Sequence, residues 1–171
     1  MPDAVARILT TVRRLDEETT LRGILDALAD GAASEDLRVA LLLVDQRDQR
    51  DRGDLRVYRH HGFPPSDVPA HVRITSSVEM SQAVVRCQTV RIGAVGTPDP
   101  SKPRFLQIAP GRAGLILPLV VDQLAVALVF LDGAADTLKW GDVVEVLVRH
   151  GSARLESVTS QRTVDVLTAS S

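Results

Sequence analysis

The sequence has little of what several specialised functions require. Its 171 residues include a single cysteine, Cys87, so an internal disulfide is excluded and a reducing compartment is favoured. Aromatic residues make up 3% of the chain, too few and too scattered for the stacking platform of a nucleic-acid-binding protein. Lys and Arg (20) nearly balance Asp and Glu (22), so no excess charge attracts nucleic acid or an anionic membrane. We expect neither partner.

Segments for export or membrane insertion are missing as well. The N-terminal stretch MPDAVARILTTVRRLDEE is charged throughout and lacks the apolar centre of a signal peptide. The most apolar run, GLILPLVVDQLAVALVFLDG, is divided near its middle by Asp122 and Gln123 into two strand-length pieces. The expected location is therefore the cytoplasm.

Aliphatic residues dominate what is present. The chain is 44% hydrophobic and 25% charged, which is ordinary for a globular domain with one substantial core. Asp122 and Gln123 are predicted to turn strand Leu115–Val121 back on strand Leu124–Leu131. Both strands are apolar on both faces, so layers should cover the sheet on each side. Ala125 and Ala127 leave room on one face that either a closely packed helix or a small molecule could fill, and we expect the helix.

The N-terminal segment, residues 1–19, is predicted to be a helix with a narrow apolar seam. The seam consists of residues three or four apart: Val5, Ile8, Val12 and Leu15. This spacing fits either a helix lying on its own domain or a short helix that pairs with a second copy. In the second case the seam is a dimer interface.

The last helix carries a longer apolar stripe, made of Trp140, Val143, Val144, Leu147, Gly151, Leu155 and Val158. Glycine weakens a helix unless its backbone approaches a neighbour closely, so we expect such an approach at Gly151. Gly151, Leu155 and Val158 are assigned to the same candidate dimer interface. Residues 20–158 would form the domain, and residues 159–171 a tail that leads into further sequence.

Between these ends the pattern alternates between helices and strands. A helix over Thr20–Ala32 precedes a buried strand, Leu37–Asp45, and a returning strand, LRVYRHHG. The loop between the strands carries Asp45, Asp48, Asp51 and Asp54 at every third position, unlike a calcium loop, and we interpret it as a solvated hairpin tip. Ser76 and Glu79 have capping-box spacing, which predicts a helix from about Ser77 to Arg86 or Cys87. TVRI follows as a short strand.

A long loop, Gly93–Arg112, is the main candidate for ligand binding. Loops of this length in compact domains often act as lids or binding segments. We expect Phe105 and Ile108 to close an apolar pocket, while Arg104 or Arg112 meets an anionic ligand. The full candidate ligand-binding set is Tyr58, Phe63, Ser81, Arg104, Phe105, Ile108 and Arg112.

Metal and catalytic sites find little support in the spacing. His60 and His61 are neighbours on a strand and therefore face opposite ways, so they cannot readily converge with His71 and Cys87 on one metal ion. No Ser, His and acid arrangement is recognisable. We predict no metal site, no cofactor and no catalytic residue.

Four stretches, taken in order, resemble the GAF domain family. They are LRGILDALADGAASEDLRVALLLVD (entry helix and first strand), LRVYRHHGF (second strand), SSVEMSQAVVRCQTVRI (pocket-side helix and short strand) and GRAGLILPLVVDQLAVALVFLDG (final hairpin). The resemblance covers about Leu21 to Val158. It implies an α+β fold with a central antiparallel sheet of five to six strands. Helices would pack on one face, and a pocket-side helix and the long loop on the other.

Departures from the family narrow the expected function. Gln123 stands where the family usually has Gly in the hairpin turn, and Ala127 where the next strand often has Gly. The Asn-Lys-Phe-Asp-Glu signature of cyclic-nucleotide binders and the Cys-His dipeptide of bilin binders are absent. Members that reduce free methionine sulfoxide need several cysteines, whereas Cys87 is alone. We therefore expect no enzyme activity.

Two functions remain open at this point. One is a bacterial-type sensory module that binds a small molecule and signals through its terminal helices to an effector domain or partner protein, as a homodimer. The other is a ligand-free GAF fold that serves as a dimerisation or protein-interaction scaffold.

Overall fold

The fold is given by a computed structural model, which describes residues 2–33, 37–45, 53–135 and 139–169. The α-helices within these ranges are α1 (Pro2–Glu17), α2 (Leu21–Ala33), α3 (Val78–Arg86) and α4 (Lys139–Ala169). The strands are β1 (Arg38–Val44), β2 (Asp54–His61), β3 (His71–Arg73), β4 (Val90–Ile92), β5 (Arg112–Val121) and β6 (Leu124–Ala134). The interior of the predicted charged loop, including Asp48 and Asp51, lies outside the described residues.

The described strands form a single antiparallel sheet. Their order across the sheet is β3-β2-β1-β6-β5-β4, and every neighbouring pair runs antiparallel. The expected α+β class with a central antiparallel sheet is confirmed. The two apolar strands of the longest hydrophobic run, β5 and β6, lie next to each other in this sheet.

The turn between β5 and β6 has a left-handed backbone. Asp122 and Gln123 have φ values of 50° and 65°, the geometry of a two-residue hairpin turn that suits the twist of the strands. The register shifts after Leu119, where the next pairs skip Val126. Because of this bulge Val126 packs against the core beneath the helices instead of following Leu128 and Phe130 to the other face.

We call the face of the sheet that carries α1, α2 and α4 the helical face. Its core is aliphatic apart from Trp140 and includes Leu28, Leu117, Ala127 and Val129. The room beside Ala127 is therefore filled by packed side chains of the helical layer, as expected. At Gly151, a Cβ atom would lie 2.7 Å from Cδ1 of Leu28, so glycine allows α4 to approach α2 closely.

Most of the predicted dimer residues lie inside this helical layer. Leu15 is fully buried, and Leu155 and Val158 are 3% and 8% exposed. Ile8 and Val12 also pack against the helical-face core, and Gly151 is buried against Leu28. The seam of α1 thus binds its own domain, because the apolar stripe of α4 lies opposite it. Val5 differs, since its side chain is 59% exposed.

We call the opposite side the loop face. It is covered by α3, by the loop of residues 93–111 and by three short 3₁₀ helices, Pro65–Asp67, Ile74–Ser76 and Arg104–Leu106. Its core includes the three phenylalanines Phe63, Phe105 and Phe130, together with aliphatic residues from β1, β5 and β6. The predicted arrangement of a helix and a long loop opposite the main helices is confirmed.

Two helix ends differ from the predictions. Helix α3 is capped by Ser77, whose side chain accepts a hydrogen bond from the backbone N–H of Met80, whereas Ser76 donates to the carbonyl of Arg73. The prediction of Ser76 as the capping residue is therefore wrong by one position. Helix α4 continues past residue 158 as far as Ala169.

Candidate functional site

Three aromatic rings fill the centre of the loop face. The Phe63 ring lies 5.9 Å from that of Phe130 in a stacked arrangement, and the Phe105 ring meets both edge-on at 6.1 and 5.4 Å. The three side chains are between 0% and 7% exposed. Ile108 is 1% exposed and belongs to the same core. Three of the predicted ligand-binding residues, Phe63, Phe105 and Ile108, are thus brought together by packing on one another.

The loop of residues 93–111 is held against α3 by polar contacts. Nζ of Lys102 lies 3.0 and 3.2 Å from the carboxylate oxygens of Glu79. Within the loop, the Gln107 side chain donates to the carbonyls of Asp99 and Lys102 at 2.8 and 3.2 Å. Val95 N–H donates to the Ile108 carbonyl at 3.1 Å. The loop therefore lies closed over the aromatic cluster.

Glu79 provides the α3 side of the contact with Lys102 that holds the loop. Partial burial raises the pKa of its carboxyl, but hydrogen bonds from Ser77 and the backbone, with the ammonium of Lys102, lower it more, so the net pKa lies below its usual range. The Ser77 hydroxyl donates to this carboxylate at 2.6 Å. One side chain thus serves both the start of α3 and the attachment of the loop.

Ser81 and Arg104 do not converge with the aromatic residues. Arg104 has a side chain that is 79% exposed and lies 3.8 Å from the Asp67 carboxylate. Ser81 is a half-buried residue of α3 whose backbone N–H donates to the Ser77 carbonyl. Their proximity to a ligand stays a prediction.

Tyr58 is on the other side of the sheet from the predicted pocket. Val57 packs against the loop-face core, and the next residue of β2, Tyr58, packs against the helical-face core. Its hydroxyl donates to Asp26 of α2 at 3.1 Å. Burial raises the pKa of this hydroxyl, and the Asp26 carboxylate raises it further. The structure therefore does not bring Tyr58 together with Phe63, because alternation along β2 places Tyr58 on the opposite side of the sheet from Val57 and the loop-face core.

Asp132 joins two arginines at one end of the sheet. Its side chain is 1% exposed and accepts hydrogen bonds from Nε of Arg112, at 2.6 Å, and from Nη2 of Arg38. Arg112 also donates to the backbone carbonyl of Asp132 at 2.9 Å. The Arg38 guanidinium lies 5.2 Å from the centre of the Phe63 ring, so this charged group adjoins the aromatic cluster.

Sequence reasoning selected Arg112 but missed Arg38 and Asp132. A signal was available, because Asp132 is a charged residue near the end of an otherwise apolar run, and a buried charge needs partners. The identity of those partners was not available, since Arg38 is 94 positions away in the sequence.

A groove of about 450 Å³ lies elsewhere, between α4 and β5. It is lined by the end of α3, by Pro118 and Val120 of β5, and by Arg149 and Ser152 of α4. Cys87 borders it, and its thiol lies 3.4 Å from the backbone carbonyl of Gln123. Sequence analysis did not anticipate this groove, because helix and strand approach each other only in the folded chain.

Neither a metal-binding group nor a membrane-spanning helix is found in the described parts of the chain. Among those residues no group of three or more His, Cys, Asp and Glu side chains is placed to hold a metal ion. A membrane-spanning helix is likewise not found in the ranges that the structure describes.

Comparison with solved structures gives strong matches to GAF domains. The GAF domain of a GAF/HD domain protein from Geobacter sulfurreducens shares 17% identity, with a TM-score of 0.61, covering 85% of this chain and 98% of that chain. The GAF domain of an Acinetobacter phosphoenolpyruvate-protein phosphotransferase shares 13%, with a TM-score of 0.64, covering 91% and 94%. This chain has a GAF-like fold. No family model matches the sequence, and no curated protein matches it.

The same comparison corrects the expectation that the chain is not an enzyme. The free methionine-R-sulfoxide reductase from Neisseria meningitidis, in complex with its substrate, shares 18% identity with a TM-score of 0.66, covering 94% of this chain and 93% of that one. An enzyme therefore matches this GAF-like fold as well as the two GAF domains above do. The expectation was wrong because neither the lack of a recognisable catalytic arrangement nor the cysteine count excludes an enzyme with this fold.

Proposed function

We propose that this chain is a GAF-type regulatory module in which a change on the loop face is passed through the sheet to the terminal helices. The observation that carries the proposal is that one strand, β5, contacts both the loop and α4. The occupant of the loop face would be a small molecule, and the receiver an effector domain or partner protein. Likeness of fold alone is a weak argument for this role, so the contacts matter.

Strand β5 is the physical link between the two faces. Ile116 belongs to the loop-face core, whereas its neighbours Leu115 and Leu117 belong to the helical-face core. Packing is close on both sides: a Cβ atom on Gly114 would lie 2.9 Å from Ile108, and one on Gly141 would lie 2.7 Å from Leu115. Because packed interiors deform little, displacement of the loop would shift β5 and the start of α4.

The terminal helices are also joined to each other. Nε2 of His150 lies 2.8 Å from the Asp16 carboxylate, and Nε of Arg154 donates to the backbone carbonyl of Glu18 at 3.0 Å. Leu15 and Leu155 share the helical-face core. A shift of α4 would therefore move the end of α1 with it, and both chain ends would report one change.

We also propose that the chain forms a homodimer, through an interface that differs from the one predicted from the sequence. Among the described side chains of the terminal helices, the large apolar ones that remain exposed are Val5 and Leu9 on α1, at 59% and 50%, and Val146 on α4, at 57%. We expect a second copy to contact these residues, because the seam residues Leu15 and Leu155 are occupied within one chain.

A second candidate is a scaffold that binds no small molecule. The specific observation in its favour is the aromatic cluster, in which Phe63, Phe105 and Phe130 occupy the centre of the loop face themselves. In this case the terminal helices would serve assembly only, and the closed loop would be a permanent part of the core.

One experiment separates the two functions. Thermal unfolding of the chain is measured across a panel of nucleotides and metabolites, and light scattering coupled to size-exclusion chromatography gives the mass with and without each hit. A regulatory module predicts at least one stabilising compound that also slows or speeds amide exchange in α4. A dimer that no compound stabilises favours the scaffold. A monomer that no compound stabilises contradicts both.

A further inference from the structure

The polar group formed by Arg38, Arg112 and Asp132 is unusual for its position. It lies at the edge of an apolar face, where Arg38 contacts the Phe63 ring and the Asp132 carboxylate is almost completely buried. A mostly apolar site with a few convergent polar groups is typical of small-molecule binding. The group is also placed where the loop of residues 93–111 ends, because Arg112 is the first residue of β5.

The charges of the three side chains do not cancel. Two guanidinium groups share one carboxylate, which leaves one positive charge. Each arginine side chain remains about one-third exposed, at 32% for Arg38 and 31% for Arg112. An arginine has five N–H donors, and only Nη2 of Arg38 and Nε and Nη2 of Arg112 have hydrogen-bond partners among the described residues. Donors on both side chains are therefore left over.

We propose that Arg38 and Arg112 form a binding site for a small oxyanion, the carboxylate or phosphate group of a ligand, with Asp132 fixing the two guanidinium groups in place. Guanidinium groups bind such anions by paired, charge-assisted hydrogen bonds. The inference deepens the proposed function and rests on it, since the oxyanion would mark the ligand that acts on the loop face.

A purely structural role explains the group less well. Buried ion pairs contribute little net stability, because desolvation offsets their attraction. A single arginine would neutralise Asp132, yet the chain places a second one against the same carboxylate. Binding of an additional anion accounts for the second positive charge, whereas a role limited to joining the strands does not.

The test measures binding of inorganic phosphate and of acetate to the whole chain by NMR chemical-shift titration, with sodium chloride at equal ionic strength as the salt control. Arg112→Gln and Arg38→Gln are each expected to weaken binding by at least about tenfold, since each removes charged hydrogen bonds. Arg22→Gln is the matched control, because this exposed arginine belongs to α2 on the helical face and is paired with Asp26 instead, and its binding should stay within about twofold. Tighter binding of phosphate indicates a phosphorylated ligand, and tighter binding of acetate a carboxylic acid.

Asp132→Asn gives a result of opposite sign for the two explanations. If the arginines bind an oxyanion, this substitution removes the carboxylate that competes with the anion for them. Phosphate should then bind more tightly and stabilise the variant more than the parent chain. If the three side chains only hold the strands together, the variant should be destabilised, and phosphate and chloride should affect its stability equally. Should this variant not fold, the comparison of Arg112→Gln with Arg22→Gln decides, and equal binding by these two overturns the proposal.

Failure of the oxyanion site is distinguishable from failure of the proposed function. Anion binding without any change in α4 amide exchange supports the site and contradicts transmission to the helices. A response of α4 to a neutral compound, together with no anion binding, contradicts the site and leaves the regulatory role intact.

Discussion

On the helical face the sheet is covered by three long helices, whereas on the loop face it is covered by one short helix, 3₁₀ turns and a long loop. The helical core spreads its contacts over many aliphatic side chains from α1, α2 and α4. The loop-face core is centred on three rings that contact one another. The first arrangement distributes stability over regular elements, and the second concentrates it in a few large side chains that close an irregular segment. The loop face is therefore the side on which a single change has the larger local effect.

The largest expected effect comes from breaking the aromatic cluster. Phe130→Ala removes a fully buried ring that contacts both Phe63 and Phe105, and should lower the free energy of unfolding by about 3–5 kcal/mol. Denaturant unfolding measures this loss. Val85→Ala, at an exposed position of α3, is the control and should change stability by no more than about 0.5 kcal/mol. A loss below about 1 kcal/mol for Phe130→Ala would show that the rings do not pack as described.

On the helical face the sharper test is overpacking. Gly151→Val places methyl groups against Leu28, where even a Cβ atom would lie 2.7 Å from Cδ1, and should cost about 1–3 kcal/mol. Adding Leu28→Ala makes space, so the double variant should be more stable than the sum of the two single losses by at least about 0.5 kcal/mol. Strictly additive losses in chemical denaturation would contradict close contact between α2 and α4 at this point.

A smaller effect is expected at the start of α3, which supports the loop face. Ser77→Ala removes the cap on Met80 N–H, and we expect a loss of about 0.5–2 kcal/mol. Ser76→Ala is the matched control, since the Ser76 hydroxyl donates a hydrogen bond to the backbone carbonyl of Arg73 and does not cap α3. This substitution should change stability by less than about 0.5 kcal/mol. Thermal unfolding of both variants would give the reverse order if Ser76 were the cap.

The smallest effect concerns the Glu79–Lys102 contact that holds the loop against α3, and this effect depends on pH. Because the pKa of Glu79 is lowered in the folded chain, its stabilisation is fully present above the unfolded pKa, about 4.3, and is lost as the pH falls through the folded value. Glu79→Gln should therefore cost up to about 1 kcal/mol at neutral pH and progressively less in acid. Hydrogen exchange at the backbone N–H of Gln107 and Val95 should report faster opening of the loop in this variant. A stability difference that does not shrink below pH 4 would exclude Glu79 as the source.

Much of the fold was predictable because it follows from local periodicity. The seam of α1, the apolar stripe of α4 and the two halves of the longest hydrophobic run each identify an element without reference to the rest of the chain. The hairpin turn at Asp122 and Gln123 is of the same kind, since two polar residues between apolar strands favour a tight turn. These predictions were correct to within a few residues at each end, except that α4 continues to Ala169 instead of ending near residue 158.

The candidate site was predictable only in part. Phe63, Phe105 and Ile108 were selected as apolar residues near a long loop, and the structure brings them together. Tyr58 was misplaced although the alternation of β2 predicts its side, since Leu55 and Val57 take the loop face and leave Tyr58 to the helical face. Asp132 and Arg38 were missed because a pair so distant in sequence leaves no periodic trace.

The sequence by itself determined the elements and which of their sides are apolar, since propensity and periodicity act over a few residues at a time. Tertiary structure decided which apolar sides met. It buried the α1 seam in its own domain, turned Tyr58 toward α2, and placed two arginines on one carboxylate. These outcomes depend on contacts between distant segments, which form only when strands pair and helices pack.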